Sequence, residues 1–200
     1  MRQLLIFIGT VLLFQFCSRI ENKNEEKKKE DVKEETFEEK ESLITPKSIG
    51  LARLGQTIAA FKQTFKDYEL TTVPVWNYCV DGGGNGILVS KDKEVLLFVW
   101  TMPGSDSIHS ITGLSKQFRT KEGLGPTTSV RQLMKQYPSL TLVNDMLCEG
   151  LEFFWERKTG IKYEFISNDS TRIGHYTNDI TVSVPFDTVR RINGVVISLN

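Results

Sequence analysis

Two segments of the chain repeat one order of helix, strand and glycine signals, and this self-similarity constrains the fold more than any other feature. The opening stretch of the first segment is residues 57–65, and it aligns with residues 129–137, the opening stretch of the second. Each begins with a hydroxyl residue that can cap a helix, and each repeats apolar residues at positions i, i+3 and i+7. The spacing therefore predicts one short amphipathic helix in each segment, the second ending at Pro138.

β-forming residues interrupted by glycine and polar turns follow each predicted helix. In both segments an acidic residue and glycine separate the first strand from the second, which is typical of a hairpin. In the first segment the strands are expected at 70–80, 87–89, 95–100 and 108–114. In the second segment the corresponding strands are expected at 140–148, 151–155, 161–166 and 189–195.

Antiparallel strands covered by one helix form a two-layer α+β unit. We therefore predict an α+β fold, mostly β, made of two tandem repeats of a short helix followed by an antiparallel meander. The body spans 44–200, with repeat one at about 49–115 and repeat two at about 122–200. It is long enough to bury a core without a cofactor or a metal. A single all-β domain with two incidental helices is the alternative.

The N-terminus carries an export pattern. Residues 4–16 form an apolar run that follows Arg2 and ends at Cys17. The run is too short to span a bilayer, which takes about 20 residues, but it has the length of a secretory signal. This arrangement resembles the signal of bacterial lipoproteins. The resemblance implies a signal peptide at 1–16, cleavage before Cys17, and acylation of that cysteine.

The lipoprotein family normally has a small residue directly before the cysteine, and this chain has Phe16 there. An uncleaved short anchor, or cleavage at another position, is therefore the alternative. Residues 17–43 are predicted to be the acylated cysteine and a disordered charged tether, since residues 18–42 hold seven Lys or Arg and ten Asp or Glu with few apolar residues.

Charge argues against a nucleic-acid partner. The whole chain has 25 basic and 25 acidic residues, and removal of Arg2 and the tether leaves 17 basic and 15 acidic residues in the body. No strong positive field is available to attract phosphates.

The order of helix and meander over 49–200 resembles the modules of BamE-like outer-membrane lipoproteins and of β-lactamase-inhibitor-type proteins, which carry it in tandem. The resemblance implies a non-catalytic protein-binding or scaffold module, anchored by its lipid in the bacterial cell envelope, at the outer membrane and facing the periplasm or the exterior. Its partners would be the membrane, through the lipid, and a protein of the envelope. The alternative function is inhibition of a secreted hydrolase or transport of a small apolar ligand.

A glycine cluster forms a possible binding loop, which consists of Asp81, Gly82, Gly83, Gly84, Asn85 and Gly86. It lacks the Gly-Lys-Ser/Thr ending of a phosphate cradle, and two oxygen-bearing side chains are too few for calcium. A glycine-rich hairpin loop is the favoured interpretation.

No catalytic residue, metal site or cofactor is predicted. A zinc site would need His109, His175 and Asp179, whose spacing matches no zinc motif, and no Gly-x-Ser-x-Gly sequence occurs. An enzyme that works through His109 or His175 is the remaining catalytic hypothesis.

Cys79 and Cys148 occupy corresponding places in the two segments, each before an acidic residue and glycine. They form a possible disulfide in an oxidising compartment, or else two separately buried thiols. The aromatic run 153–155 should place rings on both faces of its strand, because successive side chains of a strand alternate.

Overall fold

The structure, a computed structural model, describes residues 37–168, 170–176, 181–182 and 189–199. Cys17, the predicted signal peptide and Asp179 lie outside these residues. The helices are α1 (Phe37–Ser42), α2 (Ile58–Thr64) and α3 (Val130–Gln136), with a 3-10 helix at Val75–Tyr78. The strands are β1 (Ile44–Thr45), β2 (Ser48–Ile49), β3 (Ala52–Arg53), β4 (Glu69–Pro74), β5 (Asn85–Lys91), β6 (Glu94–Thr101), β7 (Ile108–Gly113), β8 (Leu142–Asn144), β9 (Leu151–Glu156), β10 (Ile161–Ile166), β11 (Thr181–Val182) and β12 (Gly194–Ser198).

The fold is mostly β and its strand pairs are antiparallel. One nine-stranded sheet has the order β11-β8-β9-β10-β12-β7-β6-β5-β4, and β1, β2 and β3 form a small separate sheet. Strands β4 to β7 therefore follow one another as a meander after α2. After α3, strands β8, β9, β10 and β12 lie side by side, and the β7–β12 pair joins the two groups.

The two longer helices begin where the sequence predicts. Thr57 accepts a hydrogen bond from the backbone N–H of Ala60 at the start of α2. Ser129 forms a reciprocal capping box with Gln132 at the start of α3. Both caps occupy N–H groups that a helix leaves without an internal partner, so each start is set locally.

The main core lies on one face of the large sheet. Phe61 of α2 and Leu133 of α3 are fully buried there, in one cluster with side chains such as Leu97, Val99 and Phe154. The neighbouring residue Phe98 points to the opposite face, as strand alternation requires. We call this opposite side the open face, because neither α2 nor α3 contributes to its apolar cluster.

Two predicted strands are shorter than expected. The expected strand at 70–80 ends at Pro74, which has no N–H for further pairing, and the chain continues as the 3-10 helix. The expected strand at 140–148 spans only β8, because the Asp145 side chain accepts hydrogen bonds from the N–H groups of Leu147 and Cys148 and turns the chain.

At the C-terminal end of the predicted tether, residues 37–42 form α1, and the N–H of Arg119 donates to the carbonyl of Ser42 over 2.9 Å. The rest of the predicted tether lies outside the described residues. The predicted correspondence of 108–114 with 189–195 is partial, because β12 begins only at Gly194. No helix in the described ranges is both long enough and apolar enough to cross a bilayer.

Candidate binding site beside the disulfide

Cys79 and Cys148 form a disulfide bond, with their Cα atoms 5.4 Å apart. Cys79 follows the 3-10 helix between β4 and β5, and Cys148 lies between β8 and β9. These connections belong to opposite halves of the sheet order. The bond therefore ties the two halves together, and both cysteines are only partly buried.

A second apolar cluster lies beside the disulfide on the open face. Val75, Phe98 and Trp100 are buried in it. The Tyr78 ring stacks on Phe98 with 4.1 Å between the ring centroids and an angle of 9° between the planes. This packing fixes the 3-10 helix, and hence Cys79, against the sheet.

Two glycines of the cluster, Gly82 and Gly86, lie directly against the aromatic rings of this apolar cluster. A Cβ atom at Gly82 would lie 2.7 Å from Cζ2 of Trp100, and one at Gly86 would overlap the Phe98 ring. Gly83 and Gly84 have φ angles of 69° and 86°, which favour glycine. The close approach of aromatic rings thus explains Gly82 and Gly86, and the turn explains Gly83 and Gly84.

The possible binding loop Asp81–Asn85 is exposed and Gly86 is buried. Two cavities, described next, lie beside the disulfide, and none of the six loop residues lines either of them. A binding role for this loop stays a prediction.

The larger of these cavities, which we call the main cavity, has a volume of about 410 Å³. The smaller has a volume of about 150 Å³. The main cavity is lined by side chains from both halves of the sheet and from the 3-10 helix, namely Asn77, Tyr78, Cys79, Val95, Thr112, Leu114, Leu151, Glu164, Ile166, Asn193 and Gly194.

The strand register explains why a gap exists at this place. Gly194 of β12 pairs with Glu164 of β10, so the two share a face of the sheet. Gly194 presents no side chain beside the carboxylate, and a Cβ there would be 3.2 Å from Cγ2 of Thr112. The missing side chain leaves a depression between Glu164 and β7.

Among the described residues, Glu164 is the only acidic one that lines the main cavity. No hydrogen bond reaches its carboxylate from the described residues; its backbone carbonyl accepts the N–H of Asn193 over 2.8 Å. Burial raises the pKa of the carboxyl from 4.5 to about 7, while nearby Lys162 lowers it and Asp145 raises it. The low polarity of its surroundings thus dominates its behaviour.

The ammonium group of Lys162 lies over two aromatic rings and does not bind the Glu164 carboxylate directly. Its Nζ lies 5.2 Å from the centroid of the Phe153 ring and 5.8 Å from that of Trp155. Such cation–π contacts attract an ammonium group without neutralising it. Within the described ranges the Glu164 carboxylate therefore has no directly bound cation.

Three strongly exposed apolar residues flank the disulfide. Trp76 is 68% exposed, Met146 is 70% exposed and Leu147 is 77% exposed. Each lies within three positions of one of the bonded cysteines, Trp76 near Cys79 and the other two near Cys148. We call Trp76, Met146 and Leu147 the apolar patch.

The predicted alternation of the aromatic run is confirmed. Phe154 is fully buried in the main core, whereas Trp155 is 36% exposed and Phe153 is partly exposed. Phe153 lines the smaller cavity on the open face.

The two histidines do not form a metal site within the described residues, where no group of three or more potential ligands occurs. His109 lies edge-on to Trp100, with 5.3 Å between centroids, and lines the smaller cavity. His175 is exposed.

Glu152 is a buried acid that the sequence reasoning missed. It is 1% exposed, and its oxygens accept hydrogen bonds from the backbone N–H groups of Ile173 and Gly174 and from the hydroxyls of Ser167 and Tyr176. These four donors occupy its oxygens, so Glu152 anchors Ser167 and the segment 173–176.

No family model and no curated protein matches the chain. Among solved structures the fold is similar to that of the uncharacterized protein yfeY from Escherichia coli, with a TM-score of 0.52 and 14% sequence identity over 79% of this chain and 100% of that chain. At this identity the similarity concerns the fold alone.

Proposed function

We propose that the protein is a lipid-anchored, non-catalytic binding module of the bacterial cell envelope, and that the apolar patch contacts a protein partner. The observation that carries the proposal is the position of the patch. Its three exposed side chains lie beside a covalent bond that joins the two halves of the sheet.

An exposed apolar patch is costly in a soluble domain unless a partner covers it. Tryptophan contributes strongly to protein interfaces, and methionine adapts to varied surfaces. Cross-linking Cys79 to Cys148 also reduces the conformational freedom that binding would otherwise have to remove. These properties favour protein binding over a purely structural role.

We also propose that the body is a tandem repeat. Each half contains a capped helix followed by strands that lie side by side in the sheet, four in the first half and five in the second, where β11 adds to the edge. The β7–β12 pair joins the halves. Cys79 and Cys148 follow the first strand of their respective halves. The disulfide would then bond equivalent positions of the two repeats.

The proposed anchor is Cys17, on the strength of the signal-like residues before it. The test is the intact mass of the membrane-extracted protein and of a Cys17→Ala variant. A mass that begins at Cys17 and includes acyl chains, and that the variant loses, supports the anchor. A chain that retains residues 1–16, or that is cleaved elsewhere, contradicts it.

Site-specific cross-linking tests the patch. A photoreactive phenylalanine analogue is placed at Trp76 or Leu147 of the full chain, with exposed Lys62 on α2 as the control position. We expect one adduct of defined mass from both patch positions and none from Lys62. The adduct should weaken in a Cys79→Ser/Cys148→Ser variant. Equal labelling at all three positions, or no adduct, contradicts the proposal.

A second candidate function is the carriage of a small apolar ligand. The main cavity favours it, because its volume of about 410 Å³ falls within the range of natural small-molecule sites and its walls include Val95, Leu114 and Ile166. The inhibitor alternative instead predicts that the cross-linked partner is a secreted hydrolase.

A further inference from the structure

We propose that the main cavity binds a small amphipathic amine, whose apolar part packs against Val95, Leu114 and Ile166 and whose ammonium group pairs with the Glu164 carboxylate. This inference rests on the second candidate function, ligand carriage, and is independent of the apolar patch. It names the chemical class of the ligand.

The apolar part of the ligand is indicated by the walls. Leu114 and Leu151 line the inside of the main cavity, and two of its wall residues remain strongly exposed, Ile166 at 65% and Val95 at 39%. A ligand that covers these side chains removes apolar surface from water. The ring of Tyr78 is held in place by its stack on Phe98, so this wall is formed before the ligand arrives.

The ammonium group is indicated by Glu164, the only charged residue that the described part of the chain contributes to the lining. Glu164 is partly buried and receives no hydrogen bond on its carboxylate from the described residues. A partly buried carboxylate gains from a cation that donates hydrogen bonds directly to it. The ligand would therefore supply the donor that the protein does not.

The surrounding charges favour a cation over an anion. Asp145 also acts on Glu164, so the two carboxylates both make the local potential negative. Among the described residues, the basic group that acts on Glu164 is Lys162, whose ammonium lies over the rings of Phe153 and Trp155. An anionic ligand would have to enter directly beside the Glu164 carboxylate, which repels it.

The space for the ligand depends on Gly194. A methyl group at this position would project beside Glu164 and approach Cγ2 of Thr112 to 3.2 Å. Gly194→Ala therefore narrows the cavity by a single methyl group. The backbone of Gly194 does not have a positive φ, so alanine fits its conformation without strain.

The experiment compares two probes of nearly equal shape, 2-phenylethylamine and the neutral 2-phenylethanol, on the full chain in detergent at pH 8. Binding is measured by isothermal titration calorimetry for the parent protein, Glu164→Gln, Gly194→Ala and Glu149→Gln. Glu149 is an exposed carboxylate next to Cys148 that lines neither cavity, and it serves as the matched control. Because all proteins are in the same detergent, partition of one probe into micelles cancels between the variants. Titration of each probe into detergent without protein corrects the comparison of the two probes.

We expect the amine to bind the parent at least tenfold more tightly than the alcohol. Glu164→Gln should weaken the amine at least tenfold and leave the alcohol unchanged, Gly194→Ala should weaken both probes, and Glu149→Gln should weaken neither. Circular dichroism and thermal unfolding verify that each variant is folded, and a misfolded Glu164→Gln is replaced by Glu164→Ala with the same expected selectivity.

Absence of amine binding by the parent overturns the proposal, as does equal affinity for the two probes or an equal loss from Glu149→Gln. Each of these results leaves the protein-binding proposal intact, because the cross-linking experiment at Trp76 reports on a different surface. A failure of cross-linking likewise leaves this inference standing.

Discussion

The sulfur atoms of Cys79 and Cys148 are bonded although the two residues are 69 positions apart in the chain. The bond connects a loop beside the edge strand β4 with a loop from the other half of the sheet. It closes a large loop through the folded body, and it adjoins the main cavity, which Cys79 helps to line.

The first prediction concerns the stability that this bond provides. On the chain-entropy model, a closed loop of this length stabilises the folded state by about 4 kcal/mol. The Cys79→Ser/Cys148→Ser variant should therefore lose about that much free energy of unfolding, measured by urea denaturation of the full chain. Mild reduction of the parent is the control and should give the same loss. A loss below about 1 kcal/mol would contradict this stabilising contribution of the bond.

The second prediction concerns Glu152, which holds Ser167 and the segment 173–176 against the sheet. Glu152→Gln replaces one acceptor oxygen by an N–H₂ group. Either the N–H of Gly174 and the hydroxyl of Tyr176, or the hydroxyl of Ser167, then loses its acceptor, and the N–H of Ile173 keeps one of its two. An unsatisfied buried group costs about 1–3 kcal/mol. We expect a loss in that range, together with faster hydrogen exchange at the amides of Ile173 and Gly174.

The matched control for Glu152 is Glu149→Gln, because Glu149 is exposed. It should change neither stability nor exchange. Unaltered exchange at the Ile173 and Gly174 amides in Glu152→Gln would contradict the anchoring role.

The features that sequence reasoning predicted are those that depend on near neighbours in the chain. The helix starts at Thr57 and Ser129 follow from hydrogen bonds that span three residues. The hairpin of β9 and β10 follows from alternating apolar residues on either side of the turn before Ile161. Local signals of this kind fix secondary structure without knowledge of the tertiary fold.

The features that sequence reasoning missed depend on pairing between distant residues. Strands β1, β2 and β3 have two residues each, too few for a periodic signal, and Ile44 pairs with distant Arg119. The isolation of Glu164 depends on its register opposite Gly194. Neither relationship leaves a pattern within a short window of sequence, so the main cavity could not be anticipated.

The third prediction separates two kinds of glycine in the cluster. A Cβ at Gly86 would overlap the Phe98 ring and lie 2.7 Å from the carbonyl oxygen of Val99. Because a backbone oxygen cannot move aside as a side chain can, Gly86→Ala should cost about 3 kcal/mol, at the upper end of what overpacking costs. Gly83 has a φ of 69° and open space around it, so Gly83→Ala should cost about 1 kcal/mol from backbone strain alone. Thermal unfolding of both variants provides the measurement, and an equal or reversed order of costs would contradict the packing role of Gly86.

The fourth prediction uses the pH dependence of stability. Burial raises the pKa of the Glu164 carboxyl from 4.5 to about 7, so between these values the folded protein holds a proton that the unfolded chain has released. The contribution of Glu164 is therefore fully present below pH 4.5 and is lost as the pH rises through 7. Since one pKa unit corresponds to about 1.4 kcal/mol, the rise of the pKa from 4.5 to about 7 corresponds to a loss on the order of 3 kcal/mol.

Comparison of the parent with Glu164→Gln isolates this contribution from other titrating groups. Urea denaturation at pH 4.5, 5.5, 6.5 and 7.5 gives the free energy of unfolding of both proteins. The difference in favour of the variant should grow over this range and level off above pH 7, because glutamine keeps the shape of the protonated acid and never becomes charged.

Lys162→Met provides a second check. Removing the charge that lowers the pKa of Glu164 should move the pH at which stability is lost to a higher value. A difference that does not change with pH would mean that Glu164 is as well solvated in the folded protein as in the unfolded chain.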